Sequence, residues 1–152
     1  MVHIEIAHTF PVSVSDGFTY ISDISKWADY WPNFVRFEDE ENARWGTPGD
    51  EATIVLKLLN RERALTLMLD EFQKEAFVAY HSRQHGLPDA RHKRYFEAVP
   101  EGMVLRLVVD YEPRKGFAGL FDRFYMKRGV ERALRTTIEN LERRFRQQGL
   151  VK

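Results

Sequence analysis

The strongest constraint on this chain is a change in the spacing of its apolar residues at Pro113. Before Pro113, apolar and polar residues alternate in short runs separated by turn residues, a pattern typical of antiparallel strands. After it, apolar residues recur at three- and four-residue steps over about eight turns, which predicts one long amphipathic helix. Such a chain must pack one long helix against an antiparallel sheet.

Five strands are predicted between Gly49 and Pro113. They span residues 52–58, 63–72, 76–82, 91–99 and 104–111. Most of the links between them have hairpin length, so neighbouring strands are expected to run antiparallel. A further strand begins at Phe34, and the alternation from Ile4 to Phe10 predicts another at the N-terminus.

Two short helices are predicted between the first strand and the second. Ser13 or Ser15 can cap the first, and Ser25 can cap the second, which carries Trp27 and Trp31. The sequence therefore indicates an α+β fold in which a seven-stranded curved antiparallel sheet wraps around a long C-terminal helix. Residues 1–152 are interpreted as a single domain, because a division would separate the sheet from the one element long enough to cover it.

Composition argues against several function classes. The 23 basic residues balance the 23 acidic ones, so no overall attraction to nucleic acid is expected. The chain has no cysteine, which excludes thiol chemistry and Cys-ligated zinc and favours a cytoplasmic protein. The N-terminus lacks the pattern of a signal peptide, and no apolar run reaches about 18 residues, so integral membrane association is not expected while peripheral contact stays open.

Three motifs occur in a characteristic order along the chain. They are the segment 18–23 followed by Trp27 and Trp31, the glycine turn at 45–49, and the run 116–123 that leads into the long helix. In this order they resemble the START-like, polyketide cyclase/dehydrase and lipid-transport superfamily, also called SRPBCC or Bet v 1-like. The resemblance covers nearly the whole chain. It implies a helix-grip fold with a deep internal cavity for lipids, polyketides, sterols, quinones or plant-hormone-like ligands, and only some members catalyse cyclisation or dehydration.

Strand alternation predicts which residues face the cavity. On the last strand the apolar face includes Leu107, and on the preceding strand the less charged face includes Arg94. An inward Arg94 could pair with a ligand carboxylate or an internal acid, although exposure of the strand end explains it equally well. Together with the family's general cavity location, alternation gives these candidate ligand-binding residues: Trp27, Trp31, Phe34, His92, Arg94, Phe96, Leu107, Val109, Tyr111, Phe121, Tyr125 and Gly129.

The apolar stripe of the long helix is interrupted by polar residues around Gly129. One interpretation is that this stretch faces the cavity mouth, where Gly129 permits close approach and Tyr125 offers a hydroxyl. The other is a kink or break at Gly129 with the charged side chains in water. Apolar residues at the helix start, including Phe117 and Phe121, are expected in the core, with membrane or partner contact as the alternative.

The leading functional hypothesis is a non-enzymatic protein that binds or transports a hydrophobic small molecule. No metal, cofactor or nucleic acid is implied, and the sequence makes no prediction of oligomeric state. One alternative is a polyketide cyclase or aromatase-like enzyme in which a cavity histidine or tyrosine moves protons. Two of His81, His85 and His92 could face the same interior, although no acidic partner is fixed beside them. Another alternative is an interaction module whose own bulky side chains fill the cavity.

Overall fold

The computed structural model describes residues 1–151, which form a seven-stranded antiparallel sheet and a long C-terminal helix. This confirms the predicted α+β helix-grip class. The five strands after Gly49 begin and end within about two residues of their predicted bounds. The strands are β1 (Val2–Phe10), β2 (Phe34–Phe37), β3 (Glu51–Leu58), β4 (Arg61–Gln73), β5 (Phe77–Arg83), β6 (Ala90–Val99) and β7 (Gly102–Tyr111).

The strand order is β1-β7-β6-β5-β4-β3-β2, so the first and last strands of the chain are neighbours. Val2 pairs with Tyr111 at one end of β1, and Phe10 pairs with Met103 at the other. Residues that pair directly across strands share a face of the sheet. The register therefore fixes which side chains point into the concave face that the helices cover.

Two short helices follow β1, as predicted. They are α1 (Val14–Ser22) and α2 (Trp27–Tyr30), joined by a 3₁₀ turn at Ile24–Lys26. Ser13 caps α1, because its hydroxyl oxygen accepts from the backbone N–H of Asp16 at 3.1 Å. The predicted cap at Ser25 is wrong: the Asp23 carboxylate caps the 3₁₀ turn and accepts from both the backbone N–H and the hydroxyl of Ser25.

The C-terminal helix is continuous over 31 residues and contains one irregular turn. It consists of α3 (Phe117–Phe121), a π-helical turn (Asp122–Met126) and α4 (Lys127–Gln147). The interpretation of a kink or break at Gly129 is wrong, because Gly129 lies inside regular α4. The inward face of the helix is not interrupted near Gly129, because Met126, Val130 and Leu134 continue it at four-residue steps and pack against the core.

The core contains two apolar clusters. The main cluster lies between the sheet, α1, α2 and the C-terminal half of α4, and includes Phe10, Met103 and Phe145. A smaller cluster near the start of β1 includes Ile4 and the apolar inner residues of the adjacent ends of β6 and β7. Leu134 of α4 packs against both clusters. The part of the concave face between the clusters carries the polar residues described next.

Candidate functional site

The sheet register turns two polar residues of β6 into the interior. His92 pairs with Val109 of β7, and Arg94 pairs with Leu107. Both β7 residues are buried on the concave face. The predicted inward orientation of His92 and Arg94 is therefore what the structure has.

Arg94 is a half-buried cation surrounded by aromatic rings. Its guanidinium donates to the hydroxyl oxygens of Tyr30 at 3.1 Å and Tyr80 at 3.2 Å. The guanidinium carbon lies 5.3 to 5.9 Å from the ring centres of Tyr30, Trp31 and Tyr80. No carboxylate of residues 1–151 lies within 4.0 Å of Arg94. A guanidinium has five N–H donors, so the site has donor capacity that these contacts leave unused.

Two buried indole N–H groups belong to neighbouring tryptophans, of which Trp31 contacts Arg94. The Nε1 atoms of Trp27 and Trp31 are buried without a hydrogen-bond partner. The two rings are 5.6 Å apart, and Trp31 also contacts the guanidinium. A buried N–H without an acceptor is costly, typically by about 1–3 kcal/mol. The site thus combines a cation with unpaired donors and would be stabilised by a ligand acceptor, above all an anionic one.

The short helices α1 and α2 and the long helix α4 together position the aromatic residues around Arg94. Trp27, Tyr30 and Trp31 come from α2 and the residue after it, and Tyr30 donates to the Ile21 backbone oxygen at 2.6 Å. In α4, Asn140 donates to the backbone oxygen of Tyr30 at 3.0 Å. Of the three candidate ligand-binding residues in this region, Trp27 is buried in the main cluster, whereas Trp31 and Phe34 are half-buried.

His92 is held neutral. Burial, with smaller contributions from Arg94 and His81, lowers its pKa to about 3. Its ring stacks on Tyr80 with centres 4.5 Å apart, and Nε2 lies 2.8 Å from the Ser82 hydroxyl oxygen. Such a histidine is a poor general base near neutral pH, because its conjugate acid is too strong.

The other histidines do not join it. His81 is adjacent in sequence to the inward residues of β5, so it lies on the convex face, where its Nδ1 is 2.9 Å from a carboxylate oxygen of Asp70. His85 is exposed in the turn between β5 and β6. The sheet therefore separates His81 from His92, and an acid–base pair of histidines is not formed.

A cleft of about 390 Å³ lies between β1 and α4. Ile4, Ile6 and Leu134 give it apolar walls, and charged residues such as Lys127 and Glu131 line its rim. Across the concave face, Ile6 pairs with Leu107, which in turn pairs with Arg94. Two strand spacings, about 10 Å, therefore separate the cleft wall from Arg94.

The remaining predicted strand residues are inward but largely occupied by protein contacts. Phe96 packs edge-on against Phe18 with ring centres 4.8 Å apart. The Tyr111 hydroxyl donates to the backbone oxygen of Asp122 at 2.5 Å, and burial raises the pKa of Tyr111 to about 12. Leu107 and Val109 are buried in the main and the smaller cluster respectively.

Three predicted residues of the C-terminal helix lie outside the interior. Phe121 and Tyr125 are solvent-exposed and stack on each other with ring centres 5.8 Å apart. Their predicted cavity position is wrong, because Gly119 and Asp122 occupy the buried side of this segment. Gly129 is also exposed, and a Cβ built there would meet no atom within 4 Å, so no close approach requires this glycine.

Sequence reasoning missed Tyr30, Tyr80 and Leu134 as site residues. Tyr80 could have been found, because it alternates with Val78 and Ser82 on β5 and pairs with His92. Tyr30 could not, since the direction of its side chain depends on how α2 docks on α4. The cleft at Leu134 likewise depends on a helix–strand separation that periodicity does not encode.

The model of the family described as polyketide cyclase / dehydrase and lipid transport matches residues 1–146. The chain belongs to this family. Membership supports the binding of a hydrophobic ligand in general. No curated protein sequence matches this one closely enough to count as a relative.

Solved structures share the fold at low sequence identity. TTHA0849 from Thermus thermophilus superposes with a TM-score of 0.76 at 14% identity, covering 94% of this chain and 96% of that one. CV1439 from Chromobacterium violaceum superposes with a TM-score of 0.72 at 15% identity, covering 93% of this chain and 96% of that one. DynU16, from the dynemicin biosynthetic locus, gives 0.69 at 12% identity, and this chain, 98% covered, spans only 48% of it. At these identities the likeness concerns the fold alone.

Proposed function

We propose that the protein binds an amphipathic small molecule with an apolar or aromatic body and an anionic group. The body would occupy the cleft between β1 and α4, and the anionic group would contact Arg94. The observation that carries this proposal is that Arg94 has no ion-pair partner. It lies on the concave face with two tyrosine hydroxyls as neighbours, and no carboxylate of residues 1–151 lies within 4.0 Å of it.

Energetics favour an anionic ligand group at this position. A cation removed from water loses hydration that neutral hydroxyls and aromatic faces replace only in part. A carboxylate or enolate would add charge-assisted hydrogen bonds to the guanidinium. The Trp31 ring, whose indole N–H is buried without a partner, has its centre 5.7 Å from the guanidinium carbon. Apolar burial in the cleft would contribute affinity, at about 25 cal/mol per Å² of surface removed from water.

The pKa values of the interior histidine and tyrosine favour binding over acid–base catalysis. Acid–base ring closure needs a group that titrates near neutral pH, whereas the pKa of His92 is about 3 and that of Tyr111 is about 12. The space available to a ligand body is at the edge of the sheet, beside β1, because the main cluster fills the interior with large side chains. The cleft of about 390 Å³ is within the range of small-molecule sites, which is roughly 300–1,000 Å³.

Binding of a fluorescent polyene fatty acid, cis-parinaric acid, and of its methyl ester tests the proposal. The two probes share an apolar body, but only the acid carries a charge. Replacing Arg94 with Gln should weaken acid binding by about 10- to 100-fold and change ester binding little. Arg91→Gln is the matched control, because Arg91 is exposed on the opposite face of the same strand.

A second variant tests the cleft itself. Leu134→Trp would fill space between β1 and α4 and should weaken both probes by similar factors. Urea unfolding of each variant shows whether the fold is intact. Equal affinity of the wild-type protein for acid and ester, or undiminished acid binding by Arg94→Gln, would exclude Arg94 as the anion site.

A further inference from the structure

A cluster of large apolar side chains is exposed at the start of the C-terminal helix. It comprises Phe117, Leu120, Phe121, Phe124 and Tyr125, here called the aromatic patch, with exposed fractions between 46% and 92%. Isolated exposed apolar residues are ordinary, but a contiguous cluster on one short helical segment marks an interaction surface.

The patch is held in place by buried polar contacts at the helix start. Asp122 is fully buried and pairs with Arg114, whose backbone N–H donates to the carboxylate at 2.7 Å and whose Nη2 does so at 2.8 Å. Gly119 packs so closely that a Cβ there would lie 2.0 Å from the Arg114 backbone oxygen. These contacts turn Asp122 and Gly119 inward, and the aromatic side chains on the other side of the helix face solvent.

Basic residues surround the patch. Lys115, Arg123, Lys127 and Arg128 are exposed, and none has a carboxylate within 4.0 Å among residues 1–151. From residue 114 to residue 132 the chain has six basic and two acidic residues, whereas the whole chain is neutral. The positive charge is therefore concentrated where the apolar surface is exposed.

The charge distribution helps to select the occupant of this surface. A second copy docked on the same patch about a two-fold axis would bring the basic residues of both copies close together, which is repulsive. Proteins bind single-stranded nucleic acid in basic grooves where aromatic rings stack on the bases. This patch is instead the exposed surface of one helix, and it includes the aliphatic Leu120. Aromatic and apolar side chains bordered by lysine and arginine are typical of helices that lie in the interface of an anionic bilayer.

We propose that residues 115–128 dock on anionic lipid bilayers, with the aromatic patch in the interfacial region and the four cations against lipid phosphates. The contact is peripheral, since no helix within residues 1–151 is long and apolar enough to cross a bilayer. Lys127 borders both the docking surface and the cleft between β1 and α4, so docking places the cleft mouth beside the membrane. This inference does not depend on what the cleft binds.

Co-sedimentation of the full chain with vesicles tests the docking surface. We expect binding to phosphatidylcholine vesicles that contain phosphatidylglycerol and much weaker binding to pure phosphatidylcholine. Arg123→Gln with Arg128→Gln should weaken binding about 25-fold at low salt, because each charge near an anionic surface contributes about fivefold. Phe117→Ser with Phe124→Ser should weaken it about tenfold or more per residue.

Matched controls use the same residue types elsewhere on the surface. Leu59→Ser removes an almost fully exposed apolar side chain in the β3–β4 turn, and Arg91→Gln with Lys93→Gln removes two cations on the convex face. Both controls should bind vesicles like the wild type. The proposal is overturned if the protein does not bind anionic vesicles, or if Phe117→Ser with Phe124→Ser binds them as well as Leu59→Ser does. It is also overturned if the patch binds an oligonucleotide or a second copy of the chain instead.

Discussion

His92 should make the stability of this protein depend on pH. The pKa of His92 is about 3 in the folded chain, mainly because the ring is buried, against 6.5 for an unperturbed histidine. As pH falls below 6.5, the unfolded chain gains a proton at His92 and the folded chain does not. Folding stability from this residue is therefore present above pH 6.5 and is lost progressively as pH falls toward 3.

The size of the effect follows from the pKa difference. Each pH unit between the two pKa values is worth about 1.4 kcal/mol, so lowering the pH to about 5 would remove about 2 kcal/mol. His92 is only half-buried, and solvent screening reduces this contribution. We expect about 1 kcal/mol.

Urea unfolding of the wild type and of His92→Gln at about pH 7.5 and pH 5 isolates the contribution. Glutamine can keep a hydrogen bond to Ser82 but does not titrate, so carboxylate effects common to both proteins cancel. The wild type should lose about 1 kcal/mol more than the variant between the two pH values. His85→Gln, in an exposed turn, is the control and should behave like the wild type. An equal loss in wild type and His92→Gln, or an NMR titration of His92 near pH 6.5, would refute the reasoning.

Two further predictions concern the fold. Gly102→Ala should destabilise the protein by about 3 kcal/mol or more, because φ is +143° and the new Cβ would lie 2.3 Å from the Phe10 backbone oxygen. Gly129→Ala should stabilise it by about 0.5–1 kcal/mol, because alanine favours a helix more than glycine does and the new Cβ would meet no atom. Thermal unfolding compares the two, and a shift of Tm in the same direction would contradict this account. Asp122→Asn should lower the free energy of unfolding, measured in urea, by about 2 kcal/mol, because it removes the buried charge that pairs with Arg114. A decrease below about 0.5 kcal/mol would mean that the ion pair contributes little to stability.

The sheet could be predicted from the sequence in some detail. Alternation is a local property with a period of two, so once one residue of β6 is placed inward, Arg94 and His92 follow. The same reasoning placed Leu107 on the helix-facing side of β7. These predictions needed no knowledge of distant contacts, because every strand of the meander pairs with a neighbour that limits its orientation.

The C-terminal helix was less predictable because its irregularity is not at the glycine. Periodicity assumes one continuous phase, but the π turn at Asp122–Met126 changes the phase between α3 and α4. The sequence predicted Phe117 and Phe121 in the core and Tyr125 at the cavity mouth, whereas all three side chains are exposed. The buried pair of Asp122 and Arg114 that anchors this turn joins residues whose proximity no periodic pattern records.

The pairing of β1 with β7 has a consequence for synthesis of the chain on the ribosome. The partners of β1 residues lie about a hundred positions further along the sequence, from Val2 with Tyr111 to Phe10 with Met103. At translation rates of about 5–20 residues per second, β1 emerges roughly 5–20 s before β7 exists to pair with it. During that interval an amphipathic strand is available to chaperones or to other nascent chains, and the sheet cannot be completed until most of the chain has been made.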